Sequence, residues 1–515
     1  MQNRKKKYVI SLDQGTTSSR AIIFDKNSNI HGVDSIPLTQ IYPRPGWVEH
    51  NAEEILKSQI ATMKKALKSS GLLPEDIACI GITNQRETVL LWDKETGKPL
   101  SNAIVWQCRR TAHLCDELKA QGLEGLFHKK TGLIMDAYFS GTKIKWLLDN
   151  IPNARKLAEQ GKILAGTIDT WLIWNLTEEK CHVTDYSNAS RTMLYNILDL
   201  QWDSELLKIL DIPLSILPKV VPSSGVIGTL KEGVLGAKMP ISGVAGDQQA
   251  ALFGQNCFNA GDAKVTYGTG CFILMNTKKT PFFSKNKLLT TIAWNIGEGV
   301  DYALEGSVFN AGSTIQWLRD ELHLIDSAPQ IDIDAEKVPD NGGVYVVPAF
   351  TGLGTPYWDP YARGLIIGLT RGTTKEHLSR AVLESIAYQC ADIFSIMVED
   401  SGIDIQEIRV DGGASVSPFL MQFQADLLNT KINRPVIQET TALGAAYLAG
   451  IGIGFWEDKT VIMDNWRSDA VFEGKMDEVK RDRYYSYWKE AVLRAMNWER
   501  REIDTVVQEN REGKK

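Results

Sequence analysis

Four stretches of this sequence bring together side chains capable of chemistry. Leu12–Arg20 reads LDQGTTSSR: a tight Gly turn that can aim successive backbone N–H groups at one point, with Thr and Ser hydroxyls as further donors. Asp13, at the end of the preceding strand-like run, suits Mg²⁺, which takes few carboxylates and keeps its waters. Gly243–Ala251, GVAGDQQAA, runs a Gly-rich loop into an apolar helix and leaves Asp247 at the helix start. There the carboxylate is either a simple N-cap, worth about 1 kcal/mol, or a base able to take a proton from a substrate hydroxyl. Thr83–Thr88 sets Arg86 beside Glu87: a planar fork of donors next to an acceptor, suited to neighbouring hydroxyls of a polyol. On its own that pair also reads as a solvated surface ion pair. Ile408–Ala414, IRVDGGA, ends a strand in Gly412–Gly413 and is followed by Ser417–Pro418, a helix start. Its glycines either close a tight turn or let backbone approach a flat ligand such as adenine or ribose.

What is missing narrows the chemistry. The chain has no G-x-x-x-x-G-K-[ST], no H-R-D or D-F-G, no G-x-G-x-x-G after a strand and no H-E-x-x-H. ATP handling without these motifs leaves the solution in which β-hairpin turns from two lobes grip the phosphates. The sequence supports two such turns. YVISLD–QGTTS–RAIIFD reads as a hairpin with Gly15 at a positive φ, and AKVTY–GTG–CFILMNT repeats the design 253 residues later. In the second copy Thr266 stands where the first has Asp13, so metal carboxylate and general base are both expected from the first lobe.

Around these turns amphipathic helical patterns (Glu53–Ser69, Lys375–Glu399) alternate with strand-like runs (ACIGITN, TVLLWD, GVYVVPAF, EIRVD), an α/β arrangement. Thr83–Thr88 is expected to be a hairpin connection between two of these runs. Asp477–Arg501 reads as one long helix before a charged tail, REGKK. At 515 residues, 43% apolar and 23% charged, the chain buries a core without disulfide or metal staples. A net charge of −6 argues against nucleic acid as partner. Seven cysteines without C-x-x-C or zinc spacing indicate a reducing cytosol. The apolar stretch after Lys7 stops at Asp13, too short for a signal peptide. Ala442–Trp456 falls short of the roughly 20 residues that span a bilayer and reads as a buried helix. A soluble, cytoplasmic protein is expected.

Together these motifs, with IYPRPGWVEH, NAIVWQCRR, YFSGTKIKWLLDN, DTWLIW, TDYSNASRTML, AFTGLGTPYWDPYARG and TALGAAYLAG, resemble the FGGY carbohydrate-kinase family from about Tyr8 to about Glu499. NQRE, Trp106 and GDQQA are similar to the members that phosphorylate glycerol. The resemblance implies an α/β fold of two ribonuclease H-like (actin/hexokinase-like) lobes about a central cleft, divided as residues 1–256 and 257–515. It implies ATP-dependent phosphorylation of glycerol with Mg²⁺, in a homodimer or homotetramer. Arg86, Glu87, Tyr138 and Asp247 would bond the hydroxyls, with Gln248 nearby and Trp106 and Phe272 flanking the carbon chain. Asp247 would be the base and Asp13 the metal anchor. Thr16, Thr17, Ser18, Arg20 and Thr269 would contact phosphates, and Gly312, Gln316, Gly413 and Ala414 would line the nucleotide pocket. Ser417 stands where many relatives have an adenine-contacting Asn. Lys238 replaces the Arg of the bacterial fructose 1,6-bisphosphate site, SSGVIGTLKEGVLG lacks the phosphorylated His, and FEGKMDEVKRDRYYSYW departs from the phosphotransferase-binding segment, so those controls are not carried over. The alternatives are another family member acting on xylulose, ribulose or gluconate, and a non-catalytic actin-like ATP-binding module.

Overall fold

The computed structural model describes residues 6–499. Two mixed sheets dominate it, and they are wired alike. The first has six strands in the order Ser224–Thr229, Pro240–Gly246, Ile77–Asn84, Tyr8–Gln14, Ser18–Asp25, Ile30–Pro37. The opening hairpin is antiparallel, and its first strand lies parallel to Ile77–Asn84, which is in turn parallel to Pro240–Gly246. The second has seven: Leu289–Asn295, Val300–Val308, Cys271–Lys278, Asp262–Tyr267, Glu407–Asp411, Ile432–Pro435, Ser468–Phe472. Again a hairpin supplies the central strand, and two parallel strands follow on its free side. The central strands are buried on both faces, which is why YVISL and ACIGI read as continuous apolar runs rather than alternating ones.

The two hairpin turns differ in length. Gln14 pairs with Ser19 and the Gly15 amide donates to the Ser18 carbonyl at 2.9 Å, whereas Tyr267 pairs with Cys271 around a turn one residue shorter. Gly15 does not adopt the expected positive φ, and neither does Gly268 or Gly270. What the second turn needs is close approach: a Cβ on Gly270 would sit 2.2 Å from the Val308 carbonyl oxygen.

Thr83–Thr88 is not a hairpin connection. It leaves the first sheet and enters a separate four-stranded sheet made of Glu49–His50, Ala103–Ile104, Val89–Asp93 and Ile163–Thr167. The bend passes through Glu87 at φ 62°, so Arg86 and Glu87 lie inside the protein between two sheets.

Helices pack these layers. Ala52–Ser70 begins with Asn51 accepting from the Glu53 and Glu54 amides and ends at Gly71 in the left-handed region. It lies on the strands Ser18–Asp25 and Ile30–Pro37: Gln59 donates to the Arg20 carbonyl of the first at 2.8 Å, and a Cβ on Gly32 of the second would meet the Ala66 carbonyl at 2.5 Å. Thr440–Ile451 is the buried helix expected at Ala442, ending earlier than Trp456. It crosses Asp247–Gly254 at facing glycines, with a Cβ on Gly444 falling 1.8 Å from the Ala250 carbonyl. It also lies on the first sheet, where Cβ atoms on Gly81 and Gly243 would strike Ala445 and Ala449 backbone. A helix from the second half of the chain thus packs on the sheet of the first. Lys375–Ser401 is long and apolar enough to cross a membrane but is largely buried in the second core. The C-terminal helix runs Glu478–Ala495, shorter than the expected Asp477–Arg501, and the REGKK tail lies outside the described residues.

Candidate active site

Arg86 and Glu87 are 3% and 1% exposed, which excludes a solvated surface pair. They are not chiefly each other's partners, being 3.9 Å apart from Nε to Oε1. Arg86 gives both Nη groups to Glu305 of the strand Val300–Val308, at 2.6 and 2.9 Å. Its Nε faces Asp247 Oδ1 at 3.2 Å. Glu87 accepts from Arg191 Nε at 2.6 Å, and Arg191 Nη2 reaches Glu305 at 3.0 Å. Burial pushes the Glu87 carboxyl up against the pull of Arg191 and Arg86. Burial also pushes Glu305 up, but Arg191 and Arg86 together more than reverse it and hold its pKa at about 2.

Asp247 is the first residue of the helix Asp247–Gly254, with Gly246 in the cap position, so it is not the N-cap that its sequence context permits. Its Oδ1 accepts from the Gln248 amide at 2.7 Å. Gly246 has no room for a side chain, since a Cβ would meet Arg86 Cδ at 2.7 Å. The Gly246 amide is held by Ser187 Oγ at 2.9 Å, and Ser187 in turn donates to Asp185. Burial raises the Asp247 pKa, while Arg86, Lys264 and the Gln248 amide oppose it. Lys264, from the strand Asp262–Tyr267, is fully buried and donates to Gln248 Oε1 and, at 2.8 Å, to Thr266 Oγ1. Burial lowers its pKa against the nearby Asp411 and Asp247.

An aromatic group borders this cluster. Trp106 lies edge-on to Tyr138 at 5.4 Å and to Phe272 at 6.3 Å between ring centroids. Burial raises the Tyr138 phenol. The Trp106 indole N–H donates to Thr16 Oγ1 at 2.8 Å, so the aromatic group is tied directly to the first Gly turn.

In that turn the Thr16 and Thr17 amides, and in the second turn those of Thr269 and Gly270, donate to no protein acceptor among the described residues. Unspent amides at hairpin tips fit an anionic ligand. Burial and the carboxylates of Asp247 and Glu439 carry the Asp13 pKa up to about 7 in spite of Arg20. A carboxyl so placed gains from a cation. No group of three or more His, Cys, Asp or Glu side chains among the described residues forms a metal cage. The Arg20 guanidinium is paired with Glu439, just before Thr440–Ile451. Ser18 opens the strand that carries it.

Thr269 and Gly312 are neighbours: the Gly312 amide donates to the Gly268 carbonyl at 3.0 Å, and a Cβ there would come within 2.6 Å of the same oxygen. Gln316 lies one turn along the helix Gly312–Asp320, exposed. Gly412, at φ 86°, abuts Tyr267 backbone and leads into Gly413 and Ala414, with open space around Gly413. Ser417 caps Pro418–Leu428 through the Leu420 amide and donates to Asp332 Oδ1 at 2.5 Å, so its hydroxyl is already engaged.

The sequence reading missed Glu305, Arg191, Lys264 and Glu439. Arg191 lies inside TDYSNASRTML, and Glu305 and Lys264 are charges in the middle of largely apolar strands, VDYALEGSV and DAKVTY, a pattern that marks buried charge with a partner elsewhere.

Residues 8–254 match the N-terminal domain of the FGGY family of carbohydrate kinases, and residues 263–453 match its C-terminal domain. The chain is 61% identical over 495 residues to glycerol kinase 2 of Thermotoga maritima, covering 96% of this chain and 100% of that one. It superposes on the structure of Plasmodium falciparum glycerol kinase with ADP at a TM-score of 0.90 and 40% identity, covering 95% and 98% of the two chains. Ligand-bound xylulose kinase from Lactobacillus acidophilus superposes at 0.85 with 24% identity, over 94% and 97%, a likeness of fold alone.

Proposed function

The chain belongs to the FGGY family of carbohydrate kinases, and from its site we propose that it transfers the γ-phosphoryl group of ATP to a terminal hydroxyl of glycerol, giving sn-glycerol 3-phosphate. The observation that carries the substrate is 61% identity to a glycerol kinase over nearly the full chain; the fold, shared with a xylulose kinase, does not decide it.

Arg86, Glu87, Tyr138 and Asp247, with Gln248 beside them, take the three hydroxyls, and Trp106 and Phe272 flank the carbons. Asp247 accepts the proton of the attacking hydroxyl, whose oxygen forms the new bond to phosphorus as ADP leaves. Its raised pKa supports that role, since a base works best near the operating pH. A pocket matched to hydroxyls rejects analogues lacking them by about 10⁴–10⁵, because buried partners would be left unpaired. The amides of Thr16, Thr17 and Thr269, with Ser18 and Arg20, hold phosphate oxygens, while Gly312, Gln316, Gly413 and Ala414 line the nucleotide side. Ser417 supports that wall through Asp332 rather than reading the base. Asp13 anchors Mg²⁺, which when bound neutralises charge on the phosphates. Residues 1–256 and 257–515 are the two domains, and the enzyme is a cytoplasmic homodimer or homotetramer; light scattering on the purified chain tests the assembly.

The deciding experiment is ADP release from MgATP with glycerol, dihydroxyacetone, xylulose and gluconate. Glycerol is expected to be turned over efficiently. Turnover of a pentulose or sugar acid with glycerol inert would overturn the substrate.

A further inference from the structure

We propose that Glu305, buried in the second sheet beneath the polyol pocket, is the positioning residue that holds Arg86 and Arg191 for substrate and keeps the pocket selective for an uncharged polyol over an anionic one. The proposal rests on the glycerol reading above and goes beyond it, since Glu305 touches neither substrate nor nucleotide there.

Three observations carry it. First, Glu305 takes both Nη groups of Arg86 and one of Arg191, so two cations from one lobe are anchored on a single carboxylate from the other. Such a fork-to-carboxylate pair fixes direction as well as distance. Second, the grip decides what Arg86 does next. With both Nη groups engaged, only Nε faces Asp247, at 3.2 Å. Released, the guanidinium would turn its Nη edge onto Asp247 or Glu87, closing the pocket and tying up the base. Third, the cluster balances. Arg86, Arg191, Lys264 and the buried Lys143, which donates to the Tyr138 carbonyl, supply four cations, and Glu87, Asp247, Glu305 and Asp411 beside Lys264 supply four carboxylates. A proton passing between Asp247 and Lys264 leaves that balance unchanged. A neutral polyol enters such a site without cost in net charge, whereas an anion of the same size gives up its water and finds no surplus cation. Asp13 is a further carboxylate near Asp247, and Arg20 and Glu439 near it pair with each other, so the phosphate side adds no surplus cation.

The test compares wild type with E305Q and E305D, measuring KM for glycerol, KM for ATP and inhibition by glycerate, the carboxylate analogue of glycerol. In E305Q the glycerol KM is expected to rise about tenfold or more, as for one side of a buried charge pair, with the ATP KM within about twofold. Glycerate should inhibit E305Q at least about tenfold more strongly than wild type, the scale of one uncompensated charge several ångström away at an effective dielectric of about 20. E305D keeps the charge but not the reach, so it should show the higher glycerol KM while excluding glycerate as wild type does. A merely structural residue would lower activity without moving the glycerate preference or separating the two KM values. Unchanged glycerol KM in E305Q, or glycerate inhibition equal to wild type, overturns the proposal. Should E305Q fail to fold, E305D decides: a wild-type glycerol KM overturns it. Wild type inert on glycerol would instead sink the substrate reading, so the two failures are distinct.

Discussion

Replacing Asp247 by Asn tests the base with little disturbance to its surroundings. Asp247 Oδ1 accepts from the Gln248 amide and lies 3.2 Å from Arg86 Nε, and an Asn carbonyl oxygen keeps that bond and that position. The other oxygen becomes an NH₂ group, which cannot accept a proton. Glycerol affinity should therefore change by no more than a few-fold, while kcat falls about 10²–10⁴-fold, or about 3–5 kcal/mol of transition-state stabilisation. Stability should move the other way. Because burial raises the Asp247 pKa above its unfolded value, the ionised carboxylate opposes folding, and this cost is fully present above the folded pKa and vanishes below the unfolded one. A neutral isostere removes it, so at pH 8 the ligand-free variant should melt no lower than wild type. The assay is coupled ADP release across pH, with calorimetry for glycerol and thermal melts on the same preparations. Wild-type kcat/KM should fall as pH drops through the raised Asp247 pKa, and the residual activity of the variant should lack that limb. A kcat within tenfold of wild type, or an acid limb that survives the substitution, would refute the general-base role.

Three other substitutions probe separate parts of the molecule. Burial carries the Asp13 pKa up to about 7, so ionising it works against the ligand-free fold as pH rises from about 4 to 7. Asp13→Asn should then melt at or above wild type at pH 8 without Mg²⁺, with the gap closing toward pH 4, while MgATP turnover collapses; a lower melting point at pH 8 would contradict this. Asp392, buried in the helix Lys375–Ser401, accepts from the Tyr357 and Tyr485 hydroxyls at 2.8 and 2.6 Å and from Trp488 Nε1 at 2.9 Å, and is ion-paired with Lys489 at 2.9 Å. Asp392→Ala should cost about 3–5 kcal/mol in denaturant titration by stranding those donors around the C-terminal helix, and a loss below about 1 kcal/mol would show them satisfied by water. Gly444→Val forces a side chain where even a Cβ lies 1.8 Å from the Ala250 carbonyl, so the two crossing helices must separate. A loss of about 3 kcal/mol or more is expected, and a wild-type melting point would mean that the helices can part freely.

Much of the fold was legible because each lobe repeats one local design. A strand, a Gly turn and a second strand at Tyr8–Asp25 and again at Asp262–Lys278 have periodicity and punctuation that need no tertiary information. The connection after Asn84 was misread for the converse reason. Nothing local says that the next strand joins a different sheet, since that choice is made by Thr167 and its neighbours some 80 residues later. Positive φ was assigned to Gly15 from residue type, but the turn closes through the Ser18 carbonyl without it. In the candidate site, side chains grouped along the chain were findable, and those arriving from elsewhere were not. Arg86 and Asp247 stood out in polar or Gly-rich runs. Glu305 showed only as an acid inside a largely apolar strand, and its three guanidinium contacts come from residues more than 100 positions away.

Those distant partners alter the division of labour between the lobes. Sequence comparison of the two hairpins assigns both Asp13 and Asp247 to the first lobe, with Thr266 in the equivalent place of the second. Yet charges from the second half of the chain act on both carboxylates alongside Arg86 and Arg20 of the first: Lys264 and Glu305 on Asp247, and Glu439 on Asp13. The contrast also bears on motion. Arg86, Arg191 and Glu305 are all but sealed from solvent and joined by charge-assisted bonds, so parting the lobes there would strand buried ions. The Gly254–Gly444 crossing is equally close, with a Cβ on Gly254 falling 2.0 Å from the Thr440 carbonyl. The hairpin tips, by contrast, carry exposed Thr17 and Thr269 and unspent amides. On the proposed function, any parting of the lobes is therefore expected at the hairpin turns rather than at the charged cluster around Glu305.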